Sequence, residues 1–118
     1  MGGNMALSRL AIRRLTKLAN YMARLPKRAE KHFDIREAGP EENVTKAQLL
    51  KCGSSACAMG WAATIPSFKK AGWTSGWLHE EEFFAINGTQ ARELFYDMSI
   101  ETPKQWASHC RKFIKDNR

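Results

Sequence analysis

Apolar residues recur at helical spacing through the first quarter of the chain. When successive residues are turned by about 100°, one stripe contains Leu7, Ala11, Leu15, Leu18, Met22 and Leu25. Asn4 offers an N-cap side chain, and Pro26 ends the pattern because the residue before a proline avoids the α region. The pattern predicts a long amphipathic helix from Asn4 to Leu25.

The polar side of this helix is cationic. Opposite the apolar stripe lie four bases, which we name the ridge: Arg9, Arg13, Lys17 and Arg24. Arg14 differs, since it falls at the edge of the stripe between Leu7 and Tyr21. A guanidinium buried there needs a carboxylate or carbonyl partner. We expect an acid from Glu80–Glu82 or Asp97 to supply it.

The segment after Pro26 is less regular. Residues 27–51 show no sustained period, and His32–Arg36 is a candidate for a short extended piece. In the decapeptide Cys52–Trp61, Gly53 interrupts the chain and Ser54 can cap a helix. The small residues that follow Ser54 predict a short, tightly packed and buried helix.

Proline and glycine residues divide the segment that follows Trp61 into short elements. Pro66 suits the first turn of a further short helix, which Gly72 ends. Trp73–Trp77, with Gly76 inside it, is predicted to be a loop or a small hairpin.

The C-terminal third has helical patterns throughout. One short helix is predicted over His79–Ile86, and Thr89 is the expected cap of the next. Thr102 and Pro103 are typical of an N-cap followed by an N1 proline. The last helix would bury Trp106, Cys110, Phe113 and Ile114. We therefore predict an all-α fold with that small hairpin as a variant: a single domain over residues 1–118, with a basic helix at 4–25 and a helical core at 52–116.

The distribution of charge is the feature of this sequence that bears most directly on its function. The chain carries a net charge of +7, and the whole excess lies in residues 1–31, where eight bases face one acid, Glu30. The remaining 87 residues carry 11 basic and 11 acidic side chains. So few acids leave no lattice of i,i+4 ion pairs to account for the bases. A cationic surface of this kind attracts polyanions.

The candidate binding residues follow from that asymmetry. They are the bases Arg9, Arg13, Lys17, Arg24, Lys27, Arg28 and Lys31, and the loop aromatics Trp73 and Trp77. The first hypothesis is a non-enzymatic module that docks on nucleic acid or a nucleoprotein through its N-terminal helix. The alternative is a phage-type inhibitor that binds an acidic surface of a host protein, with Trp73 and Trp77 as main contacts. For Trp73 and Trp77, an interface role and packing weigh equally.

Chemical functions find weaker support. Cys52-Gly53-Ser54 suggests the nucleophile segment of a cysteine protease, but Ser55 and Ala56 break that signature. Cys52, Cys57, His109 and Cys110 do not have zinc-ligand spacing. A helix-turn-helix over Phe83–Phe95 would present a recognition helix with little positive charge. We expect no catalytic residue, metal or cofactor.

Composition limits the cellular locations that the chain could have. The longest uncharged run, Cys52–Phe68, has 17 residues and contains Gly, Ser, Thr and Pro, so it is too short and too polar for a membrane span. Arginines interrupt the N-terminus where a secretory signal needs an apolar run. Three cysteines without such a signal favour reduced thiols and a cytoplasmic location. The oligomeric state and any base-sequence preference stay open.

Several short sequence motifs occur in order along the C-terminal part of the chain. Cys52–Trp61 has the form Cys-Gly-Ser-x-x-Cys-x-x-Gly-Trp, and the later matches are Ile65-Pro66-Ser67-Phe68, Phe83-Phe84, Leu94-Phe95, Thr102-Pro103 and Phe113-Ile114. Together they resemble a family of small uncharacterised proteins of phages and bacteria, in which Thr usually stands at the place of Ser54. The resemblance covers roughly the C-terminal 70 residues. It implies a fold and a phage or mobile-element setting, and no activity. The basic first helix is outside the resemblance.

Overall fold

The computed structural model describes residues 6–33, 57–73 and 80–118. Within these ranges the chain forms helices and no β-strand, which confirms the all-α fold. The helices are α1 (Arg9–Ala23), a 3₁₀ helix (Lys27–His32), α2 (Ala58–Ala62), α3 (Pro66–Lys70), α4 (Glu80–Phe84), α5 (Gly88–Phe95) and α6 (Pro103–Asn117). The described residues include none of the segment between Phe33 and Cys57.

The two long helices, α1 and α6, form the main pair. Leu7 N donates to Asn117 O at 2.8 Å, and the Cys110 thiol donates to Leu15 O at 3.6 Å, so the helices run antiparallel. The predicted stripe of α1 is buried along its whole length. Trp106, Cys110, Phe113 and Ile114 of α6 are buried as well, as the sequence predicts. This packing leaves the opposite side of α1 to solvent.

Helix α1 is shorter than predicted at both ends. It begins at Arg9 because Ser8, not Asn4, is the N-cap, with Ser8 Oγ accepting from Ala11 N at 3.1 Å. It ends at Ala23, and Arg24 is the C-cap. Asn4 lies outside the described residues. The ridge therefore starts at the first residue of α1 and finishes at its cap.

The chain does not extend directly after Pro26. A 3₁₀ helix covers Lys27–His32, so His32 is helical where the sequence suggested an extended start. Proline at the N-cap position already has the backbone geometry that precedes a helix, with φ −66°. Phe33 has the predicted extended backbone, with φ −112° and ψ 124°, and Asp34–Arg36 lie outside the described residues. The 3₁₀ helix prolongs the basic segment beyond α1.

The decapeptide gives the predicted buried helix, with a different start. Helix α2 begins at Ala58, and Cys57 is an N-cap that makes no side-chain bond to the helix. Every residue of α2 is buried. Ser54, the predicted cap, lies outside the described residues.

Side-chain caps fix two of the C-terminal helices. Asn87, rather than Thr89, caps α5: its Oδ1 accepts from Gln90 N at 2.8 Å, and Gln90 Oε1 accepts from Asn87 N at 3.0 Å. This reciprocal pair satisfies two backbone donors at once, which a single threonine hydroxyl does not do. At α6 the predicted Thr102 cap is confirmed, and Gln105 completes the same arrangement.

Candidate polyanion-binding surface

Seven basic side chains form one exposed set on α1 and the segment that follows it. They are the predicted binding bases Arg9, Arg13, Lys17, Arg24, Lys27, Arg28 and Lys31, and we call them the cationic surface. None of these side chains makes a hydrogen bond or an ion pair with another described residue. By contrast, Lys112 on α6 is paired with Asp116 at 2.9 Å. The bases of the cationic surface are thus presented to solvent unneutralised by the described part of the chain.

The placement of Arg9, Arg13 and Lys17 does not help α1 to fold. Arg9 and Arg13, and again Arg13 and Lys17, stand four residues apart, where like charges destabilise a helix by about 0.2–0.5 kcal/mol per pair. Arg9 is also the first residue of the helix, where the macrodipole disfavours a cation. A stability role therefore does not account for these three bases, whereas Arg24, at the C-cap, is placed favourably for the helix dipole.

A groove of about 680 Å³ lies along the exposed side of α1. Its lining combines three ridge cations, Arg13, Lys17 and Arg24, with the apolar groups of Ile12, Tyr21 and Ile65. The described residues that line it include no acid. The groove offers positive charge and apolar contact side by side.

Hydrogen bonds from other parts of the chain hold two adjacent residues of the groove lining, Asn20 and Tyr21. On one side, Arg111 of α6 donates to Asn20 Oδ1 at 3.0 Å. On the other, the Tyr21 hydroxyl shares a hydrogen bond with Thr64 Oγ1, and Thr64 Oγ1 also donates to Trp61 O at 2.7 Å. Burial raises the pKa of Tyr21 above its ordinary value of 10.0, so the phenol is neutral near pH 7. Sequence reasoning missed Arg111, because only the antiparallel packing of α6 brings it to α1.

Arg14 does not belong to the cationic surface. Its Nη1 donates to Phe83 O, and its guanidinium carbon lies 4.0 Å from the centre of the Phe83 ring. Phe83 is the penultimate residue of α4, where backbone carbonyls lack helical partners. The acid partner expected from Glu80–Glu82 or Asp97 is therefore replaced, within the described residues, by a carbonyl and a ring. Arg14 caps the C-terminus of α4.

Of the two candidate aromatic residues, the structure describes Trp73, and it is buried. Trp73 is only 2% exposed, and its Nε1 donates to Met59 O at 3.1 Å. Its ring packs against Phe83 and Phe84 at centroid distances of 5.0 and 5.4 Å. Of the two roles left open for Trp73, the structure shows packing. Trp77 lies outside the described residues.

The thiols that the structure describes have core environments. Cys57 and Cys110 are both fully buried in the core. Burial raises the pKa of the Cys110 thiol far above its usual range, which opposes thiolate chemistry. Among the described residues, no three His, Cys, Asp or Glu side chains converge on a metal-sized site, so Cys57, His109 and Cys110 do not form one. Cys52 is outside the described residues.

Acidic side chains of α4 serve nearby structure. Glu80 is 7% exposed, and its Oε1 accepts from the Tyr96 hydroxyl at 3.0 Å. Glu81 lies beside Gly88, the first residue of α5, where its carboxylate interacts favourably with the positive end of the helix dipole. Neither acid is engaged with the cationic surface.

No family model matches the chain, and searches of curated proteins and of solved structures likewise find no match. Among the described helices, none has the length and apolar character needed to cross a bilayer.

Proposed function

We propose that the chain is a non-enzymatic module that docks on nucleic acid, free or within a nucleoprotein, through its cationic surface. The observation that carries this proposal is the set of seven exposed bases without a partner among the described residues. Phosphate groups would supply the missing anions. Binding would release counterions from the nucleic acid, which is the main source of affinity for such surfaces.

The dimensions of the ridge suit a repeating anion. Arg9 and Arg24 are 15 residues apart, which corresponds to about 22 Å along a helix at 1.5 Å per residue. A nucleic-acid strand places several phosphates within that length, whereas a single small anion would engage only part of the ridge. Lys27, Arg28 and Lys31 continue the positive charge past the end of α1.

The alternative of an inhibitor that binds an acidic host protein has less support. It relied on Trp73 and Trp77 as exposed contacts, and Trp73 is buried. A cytoplasmic site of action fits the thiol of Cys110, which is buried and forms no disulfide, since reducing compartments preserve such thiols.

The test is a salt titration of binding to labelled oligonucleotides, both single-stranded and duplex. With four to seven phosphate contacts, we expect the logarithm of the association constant to fall against the logarithm of salt concentration with a slope of about −3 to −6. Failure of both forms to bind at low salt, or binding that is insensitive to salt, would refute the proposal.

A further inference from the structure

An aromatic residue is interleaved with the cations on the exposed side of α1. Arg13, Lys17, Tyr21 and Arg24 follow one another at intervals of four, four and three residues, so each lies one turn from the next. Tyr21 is half-buried and lines the same groove as the three cations. One row of side chains therefore places an aromatic ring between cations.

The environment of Tyr21 keeps its ring in place. Its hydroxyl is bonded to Thr64, and the neighbouring Ile65 contributes to the same groove. A ring that is already ordered loses little conformational entropy when a ligand packs against it. Ile12 adds a second half-buried apolar side chain to the lining. These groups offer nothing to a phosphate, so a purely electrostatic surface would not need them.

We propose that this groove takes single-stranded nucleic acid, with Arg13, Lys17 and Arg24 on phosphates and a base packed on the ring of Tyr21. The inference rests on the proposed function and narrows it. Unpaired bases expose their faces, and stacking on aromatic side chains is the usual means of holding a single strand without sequence preference. In a duplex the base faces are covered by their neighbours, and only the cations would be used.

Three probes of equal length separate base contact from phosphate contact: a labelled oligothymidine of about 12 nucleotides, an abasic strand with the same phosphates, and a duplex. We expect the protein to bind the oligothymidine about tenfold more tightly than the abasic strand, as loss of one stacked base predicts. Equal affinity for the two strands would overturn the inference.

Two variants locate the effect at Tyr21. Tyr21→Leu should bind the oligothymidine about tenfold more weakly and the abasic strand unchanged, with the same salt slope, because the phosphate contacts remain. Tyr21→Phe should keep most of the preference for the oligothymidine, since the ring that stacks is retained and only the hydroxyl bond to Thr64 that helps to order it is lost. A Tyr21→Leu protein that still prefers the oligothymidine overturns the inference.

The outcomes also distinguish the narrower claim from the broader one. Salt-dependent binding to all three probes with equal affinity leaves the nucleic-acid function standing and refutes the single-strand site. Absence of salt-dependent binding to any probe refutes both.

Discussion

At the scale of single residues, two adjacent arginines of α1 have different tasks. Arg13 points to solvent in the groove, whereas Arg14 donates to the Phe83 carbonyl and lies over the Phe83 ring. The helical pattern predicted that Arg14 stands at the edge of the apolar stripe and needs a partner. It could not predict which partner, because the pairing depends on how α4 packs against α1. A backbone carbonyl at the end of α4 takes the place of the acid that was expected to pair with Arg14.

Substitution of these arginines should separate the two tasks. We expect Arg14→Ala to lower the free energy of unfolding by about 1–3 kcal/mol, since it removes a charged hydrogen bond and a cation–π contact. Arg13→Ala should change it by less than about 0.5 kcal/mol, as for other surface positions. Urea unfolding of both variants measures the difference. Identical midpoints would show that Arg14 is a surface residue.

Tyr96 should make stability depend on alkaline pH. Burial, followed by its hydrogen bond to Glu80, raises the pKa of Tyr96 from 10.0 to about 12. The folded chain favours the neutral phenol, so this stabilisation is complete below pH 10 and is lost as the pH rises towards 12. The gap in unfolding free energy between the protein and Tyr96→Phe should therefore be constant up to pH 10 and shrink above it. A gap that persists to pH 12 would contradict the assignment.

At the scale of elements, the sequence predicted most helices and fewer of their ends. Periodicity identified α1 and α6 because each buries a continuous stripe, and Thr102-Pro103 marked the start of α6. The start of α5 was misplaced because Asn87 and Thr89 are both good caps. Only the reciprocal bond with Gln90 decides between them. The 3₁₀ helix after Pro26 has no apolar period to identify it.

The connection between α4 and α5 contains a residue with a strained backbone, and a glycine there should relieve the strain. Ala85 has φ 55°, in the left-handed region that favours glycine. Ala85→Gly should stabilise the fold by about 1 kcal/mol, because the strain at this position exceeds the extra freedom that glycine gives the unfolded chain. Thermal unfolding would reveal a higher midpoint. A lower midpoint would show that Ala85 is not strained.

Gly88 provides the converse control in the same connection. It is the first residue of α5 and has no positive φ, and a methyl group there would lie 3.6 Å from Glu81 Oε1, an ordinary contact. Gly88→Ala should therefore be neutral or stabilising by up to about 1 kcal/mol. Opposite substitutions three residues apart would thus both be tolerated. Destabilisation by Gly88→Ala would indicate a closer approach of Glu81.

At the scale of the whole molecule, the excess positive charge was easier to predict than the contacts between helices. The sequence alone located all seven bases of the cationic surface, because an excess of charge without acids needs no tertiary information. It did not reveal the groove, since Ile65 and Arg111 reach α1 only through packing. It also left the role of Trp73 open, because an isolated aromatic in a glycine-containing segment has the same pattern whether buried or exposed.

We expect binding to depend on the position of the positive charge rather than on its amount. The direct comparison is between two variants with the same net charge. One replaces the ridge residues Arg9, Arg13, Lys17 and Arg24 with Gln, a good helix former. The control replaces four other exposed bases with Gln: Lys70, Arg92, Lys104 and Lys112.

Binding of both variants to a labelled oligonucleotide over a range of salt concentrations decides the matter. The ridge variant should remain folded, since its like-charge pairs are gone, and should bind more than tenfold more weakly at low salt. Its salt slope should be shallower by roughly 0.7–0.9 for each phosphate contact removed, while the control keeps the slope of the unaltered protein. Equal affinity and equal slope in the two variants would contradict the claim that the ridge is the binding site.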